Sequence, residues 1–276
     1  MSNRESGSRK DSHYARLRRA HRERTGGGPN TDPAAVPEGL VRLYGLHTVS
    51  AALANPRRNI QSLRVTRNAV SRLELDDLGT LPFAAELVEP KALDRLCGSD
   101  AVHQGAVLEA EPLPTKPLGE LTDCELVLVL DQVTDPHNVG AIMRSAVAFN
   151  AGALITTARH SPVESGVLAK SASGALEHID HITVRNLAEA LEGLAGTGFQ
   201  TVGLDSDGPA QLEDTLTSGR IALVFGAEGK GLRQKTRETV SALARLDMPG
   251  AIRSLNVSNA AAISLYVARN YLAKTG

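Results

Sequence analysis

Three stretches of this 276-residue chain gather residue types that could do chemistry together. Residues 131–152, DQVTDPHNVGAIMRSAVAFNAG, carry the amide of Asn138, the imidazole of His137 and the guanidinium of Arg144. Residues 223–232, LVFGAEGKGL, set the carboxylate of Glu228 among Gly226, Gly229 and Gly231. Residues 246–270 start with a Pro249–Gly250 turn and cluster Ser254, Asn256, Ser258 and Asn259 at the head of a long Ala-rich helix. A helix start needs one cap, and either Ser254 or Asn256 would serve. Four small polar groups there exceed a cap's requirement. Asn138 is expected to cap its own helix. Arg144, flanked by Ile142, Met143, Ala146 and Val147, is expected to be partly buried and held for a phosphate or carboxylate.

The glycines permit positive φ and close approach of a ligand to the backbone. Their spacing is neither GxGxxG nor GxxxxGK[ST], which disfavours dinucleotide and phosphate-loop nucleotide binding. Glu228 among them must be solvated or paired to be tolerated.

All three stretches follow strand-like runs, and in open parallel sheets ligands bind beyond the carboxyl ends of strands. The run ELVLVLD, 125–131, is continuously apolar up to its last residue, as suits a strand covered on both faces. Further strands are predicted at 153–156, 182–184, 200–204, 221–225 and 242–247, alternating with helical stretches. The fold class is therefore α/β, with a parallel sheet in the C-terminal domain, 123–276. Three prolines between Pro112 and Pro117 mark a linker, 112–122. Before it, residues 40–111 read as a smaller α/β domain. Its predicted elements are a strand running into a helix from Leu40, strands at 60–66, 83–88 and 104–109, and helices at 69–76 and 90–96.

Residues 1–39 are expected to form a disordered basic arm, with eight Lys/Arg against three Asp/Glu in the first 24 positions, although the whole chain sums to −1. Such an arm suits phosphate contacts or a merely solvated tail. Aromatics at 3% argue against recognition by base stacking alone. Cys97 and Cys124 have no metal-ligand spacing, so no metal is expected, and two cysteines suit a reducing compartment. With no signal-peptide core and no apolar stretch of about 18 residues, a cytoplasmic protein that does not meet a membrane is expected.

In order and spacing, the three stretches resemble the Asn-x-Gly…Arg, Gly-x-Glu-Gly-x-Gly and Pro…Ser-Leu-Asn-Val-Ser motifs of the SpoU/TrmH methyltransferases. The first domain is similar to the substrate-binding domain of that family's RlmB-like subgroup. The resemblance covers roughly residues 40–273. It implies transfer of a methyl group from S-adenosylmethionine to a ribose 2′-hydroxyl of 23S ribosomal RNA, at a guanosine. It also implies a deep trefoil knot in the C-terminal domain and a homodimer. Cofactor contacts carry over to Leu204, Gly226, Leu246 and Leu255, and catalytic roles to Arg144, Glu228, Asn138, Ser254 and Asn256. Because a guanidinium stays protonated far above neutral pH, Arg144 suits orienting a phosphate or stabilising a developing alkoxide better than accepting a proton. His137 and His160 are the alternative bases. His103, Gln104, Arg57, Arg58, Arg64 and Arg67 could contact RNA. Two competing readings are a tRNA ribose methylase of the same fold and a non-catalytic ribosome assembly factor. Asn259 departs from the apolar residue common in the family.

Overall fold

A computed structural model describes residues 33–121 and 124–275. Most of the basic arm therefore lies outside the described residues. The N-terminal unit is a four-stranded sheet ordered β1-β4-β2-β3, built from β1 (Val41–Tyr44), β2 (Ile60–Val65), β3 (Ala84–Leu87) and β4 (Ala106–Ala110). Helices α1 (Leu46–Ala54), α2 (Arg67–Arg72) and α3 (Pro90–Cys97) connect its strands. Helix α2 starts two residues before its predicted position because the Thr66 hydroxyl accepts a hydrogen bond from the Ala69 amide and caps it there.

The C-terminal unit is a seven-stranded, wholly parallel sheet ordered β7-β6-β5-β10-β8-β11-β9. Its strands are β5 (Leu126–Asp131), β6 (Ala153–Thr157), β7 (Asp180–Val184), β8 (Gln200–Leu204), β9 (Ala210–Gln211), β10 (Ile221–Gly226) and β11 (Ala242–Arg245). The two-residue β9 has too little pattern to be read from sequence. Strands β5 and β10 pair at the centre, and every β5 residue is buried, as its unbroken apolar run requires.

Helices α4 (Pro136–Ala148), α5 (Gly166–Ala172), α6 (Leu187–Gly196), α7 (Leu212–Thr215), α8 (Gln234–Thr239) and α9 (Val257–Thr275) cover the two faces. Helix α4 buries Val139, Ile142, Met143 and Ala146, an i, i+3, i+4, i+7 stripe against the sheet. Asp135, rather than Asn138, caps it: the Asp135 carboxylate accepts from the His137 amide at 3.0 Å, and Pro136 fills the first helical position. That leaves the Asn138 side chain free to point elsewhere. No helix among the described residues is long and apolar enough to cross a membrane.

Candidate active site

Strands β5, β8, β10 and β11 end on the same edge of the sheet, and the three chemically marked stretches leave from three of those ends. Gly226 closes β10 opposite Asp131 of β5. The chain then doubles back so tightly that the Gly231 amide donates to the Ala227 carbonyl at 2.8 Å. A Cβ on Gly226 would lie 2.1 Å from the Gly231 carbonyl carbon, and Gly229 and Gly231 hold φ of +75° and +64°. This loop is closed to side chains at Gly226, and positive φ favours glycine at the other two positions.

The far end of the loop is fixed by a residue that the motif reading passed over. The fully buried Asp131 carboxylate accepts from the Arg233 amide (3.1 Å), Arg233 Nε (2.6 Å) and the Thr236 hydroxyl (2.7 Å). An acid ending an all-apolar strand was the available signal, since a buried charge must be partnered. Asp205, just beyond β8, is likewise ion-paired to Arg237 of α8.

With the loop so held, Glu228 meets the other two stretches. Its Oε1 accepts from Asn256 Nδ2 at 2.7 Å, Asn138 Nδ2 at 3.3 Å and the Val257 amide at 3.4 Å. Asn256 Nδ2 also donates to Asn138 Oδ1 at 3.0 Å. Asn256 is the cap as well: its Oδ1 accepts from the Ser258 amide at 2.8 Å and the Ser258 hydroxyl at 2.5 Å, so Ser254 is not needed for capping.

Two clefts meet at this node. One, of about 280 Å³, is lined by Leu204, Gly226, Leu246, Ser254 and Leu255. The other, of about 420 Å³, is lined by Gln132, Asp135, Asn138, His160 and Lys230. Ala227 and Glu228 belong to both, so the Glu228 side chain stands in their common wall.

Arg144 departs from its expected place. It is exposed rather than partly buried, and it makes no hydrogen bond or ion pair within the described residues. Six residues after Asn138, it sits about 120° around the helix from it, on the stripe of His137, whereas the buried stripe faces the core. His137 turns away from the cleft to the Ser171 hydroxyl at 3.1 Å.

The N-terminal candidates are mostly engaged in structure. His103 bonds Asp94 at 3.1 Å and accepts the Gly105 amide at 3.0 Å, while Gln104 Oε1 accepts from the Leu46 amide and Lys170. Arg57 pairs with Asp180, Arg64 with Glu86 and Glu109, and Arg58 is buried. Only Arg67 of the four is exposed and without a partner among the described residues.

Residues 125–266, which contain the whole node, match the family model of the SpoU rRNA methylase family. The chain belongs to that family. Residues 42–116 match the model for RNA 2′-O ribose methyltransferase substrate binding, which makes the four-stranded unit a SpoU-associated domain. Curated SpoU relatives include the 23S rRNA (guanosine-2′-O-)-methyltransferases RlmB of Ralstonia nicotianae and of a Burkholderia species. The first is 40% identical over 82% of this chain and 94% of its own length, the second 41% over 83% and 96%. Among solved structures, the SpoU methyltransferase AviRb from Streptomyces viridochromogenes in complex with AdoMet superposes with a TM-score of 0.73. It is 23% identical, over 92% of this chain and 93% of that one. The AdoMet-bound rRNA methyltransferase from Sinorhizobium meliloti gives 0.72 at 22% identity, over 98% of each. These two likenesses establish the α/β fold shared with SpoU methyltransferases.

Proposed function

We propose that the protein transfers the methyl group of S-adenosylmethionine to the ribose 2′-hydroxyl of a guanosine in 23S ribosomal RNA. The observation that carries this reading is Glu228 in the wall between two clefts, tied to Asn138 and Asn256 from the other two family motifs. Displacement at a methyl carbon needs the acceptor oxygen in contact with that carbon and in line with the bond that breaks, and two clefts that adjoin at Ala227 and Glu228 let two ligands meet there.

The cleft lined by Leu204, Gly226, Leu246 and Leu255 suits the adenosyl group. Leucine side chains at 204, 246 and 255 offer apolar faces, and the glycine loop offers backbone without side chains. S-adenosylmethionine supplies the electrophilic methyl group when bound. This chain's own residues do the rest. Leu204, Gly226, Leu246 and Leu255 hold the cofactor, and Ser254 lines the same cleft. Asn138, Glu228 and Asn256 fix the wall against which the ribose is pressed. Arg144, on the side of its helix away from Asn138 and free of partners among the described residues, is available to an RNA phosphate and, in the proposed homodimer, to the oxygen at the second copy's wall as negative charge develops on it.

The reading extends to a homodimer, a trefoil knot and a cytoplasmic setting where ribosomal RNA is met. Exposed Ile263 and Tyr266 on α9 offer an apolar stripe for a second copy. Placement of β10 between β5 and β8, with α9 returning to pack on α4 and β10, supports a threaded C-terminus. No group of three or more potential metal ligands occurs among the described residues, and the reading invokes no metal.

Incubation of the purified protein with methyl-labelled S-adenosylmethionine and 23S rRNA tests the proposal. Label on the ribose of one guanosine is expected. Label on a base, or none on 23S rRNA with label on tRNA, overturns it.

A further inference from the structure

Two units joined by a proline-rich connection move against each other by default unless their interface is large or apolar. Here one continuous apolar core runs across the junction. Leu43, Leu46, Val49 and Ala52 of the first unit share it with Leu168, Ala169, Ala172 and Leu176 of the second. The approach leaves no room for extra atoms. A Cβ on Gly166 would stand 2.5 Å from the Arg42 carbonyl oxygen and 2.5 Å from the Tyr44 ring, and one on Gly174 would stand 3.0 Å from Ala51 Cβ.

Inside this junction sits a charged cluster. The Arg58 side chain, with no exposed area, donates to Glu177 Oε1 at 2.5 Å, Glu164 Oε1 at 2.6 Å and the Glu111 carbonyl at 2.9 Å. Asn55 donates to Glu177 at 2.7 Å, and the Leu113 amide donates to Glu164 at 2.8 Å, tying in the connecting segment. At the rim, Arg57 and Lys116 both pair with Asp180. Buried ion pairs add little net stability over an apolar contact, but they accept few alternative geometries, because any shift strands a charge.

We infer that the Arg58–Glu164–Glu177 cluster and the Gly166 contact are a positioning device, locking the substrate-binding domain to the methyltransferase domain so that bound RNA is presented to the Asn138–Glu228–Asn256 wall at a fixed distance. The inference rests on the proposed RNA methylation. It assigns the cluster no contact with RNA or cofactor, and it makes the first domain a ruler rather than a tethered hook.

Two variants open the junction by different routes. Arg58→Met combined with Glu164→Gln and Glu177→Gln removes the charges together and strands none. Gly166→Ala leaves every charge in place, favours the local helix and acts only as a wedge. In the full-length protein, spin labels at Asp76 and Glu192, with Cys97 and Cys124 replaced by Ser, read the inter-domain distance. Steady-state kinetics on 23S rRNA transcripts read the consequence.

A single narrow distance is expected in the parent and a broadened one in both variants. KM for RNA should rise tenfold or more, with kcat at saturating RNA and S-adenosylmethionine affinity changed less than about twofold. A narrow distance with unchanged KM in either folded variant overturns the inference. So does a broadened distance without a rise in KM, and so does a parallel loss of cofactor affinity, which marks general damage. If the charge-removed variant does not fold, the wedge decides alone. A parent protein that methylates no 23S rRNA refutes the proposed function instead, and the distances still report whether the junction is locked.

Discussion

The inter-domain junction and the wall between the two clefts are both organised around a glutamate, and they treat it in opposite ways. Glu177 is 5% exposed and is met by Arg58 and Asn55, so its charge is matched by a charge. Glu228 is exposed and is met only by neutral donors: two amide side chains and one backbone N–H. A neutral donor orients a carboxylate without cancelling it, and exposure lets water screen the remaining charge until a ligand displaces it. On the proposed function, the junction's acid fixes two bodies, and the wall's acid stays oriented for a partner that comes and goes.

The largest effect that would sharpen this contrast is on stability. Arg58→Ala leaves Glu177 and Glu164 buried without their shared cation and should cost about 3–5 kcal/mol of unfolding free energy. Denaturant melts measure it, and a loss below about 1 kcal/mol would put the junction on the same footing as a surface ion pair.

At the wall the ranking should invert. Glu228→Ala is expected to change stability by no more than about 0.5 kcal/mol, since the side chain is exposed. It should slow methyl transfer at saturating RNA by about two orders of magnitude, or roughly 3 kcal/mol. A variant that loses stability without losing rate would erase the distinction between the two glutamates.

Arg144→Ala should produce a rate loss of similar size, about 3 kcal/mol, with cofactor affinity barely moved. Arg144→Lys should stay nearly inactive if the planar donor fork matters more than charge. Full turnover by the alanine variant would remove Arg144 from the mechanism and make His160, which lines the cleft beside Asn138, the next residue to replace.

Gly226→Ala separates the cofactor cleft from the rest. The added methyl meets the Gly231 backbone and should weaken S-adenosylmethionine binding about tenfold or more, roughly 1.4 kcal/mol, while leaving the junction intact. Calorimetry reads this directly, and unaltered affinity would exclude the glycine loop from the cofactor site.

The smallest effect is at the rim of the junction. Burial acts to raise the Asp180 pKa, but hydrogen bonds and charge from Lys116 and Arg57 outweigh it and bring the carboxyl below its ordinary value. Its contribution is therefore present above the ordinary carboxylate range, near pH 4, and lost as pH falls through the lowered value. Asp180→Asn should flatten that acid limb of the stability profile by a few tenths of a kcal/mol, a loss typical of partly exposed pairs. An unchanged limb would show that the rim pairs add nothing to the buried cluster.

Local rules determined much of this protein from its sequence. An unbroken apolar run marked β5 as a strand covered on both faces, apolar residues at 221–225 marked β10 as a further strand, and the glycines after it marked a tight loop, because each depends on neighbours within a few residues. The motif residues Asn138, Glu228 and Asn256 were marked by type and spacing for the same reason. Their meeting, 90 and 118 residues apart in sequence, was decided by strand order, which brings the ends of β5 and β10 side by side and folds α9 back against them. Tertiary structure also sorted the arginines. Arg58 reads like its neighbour Arg57 in sequence, but only the packing of the two domains buries one and leaves the other at the rim. Arg144 sits among apolar residues in sequence, yet the helical rotation aims those residues at the core and Arg144 at solvent. Burial and pairing of a charge depend on what the rest of the chain brings to it, and no local pattern encodes that.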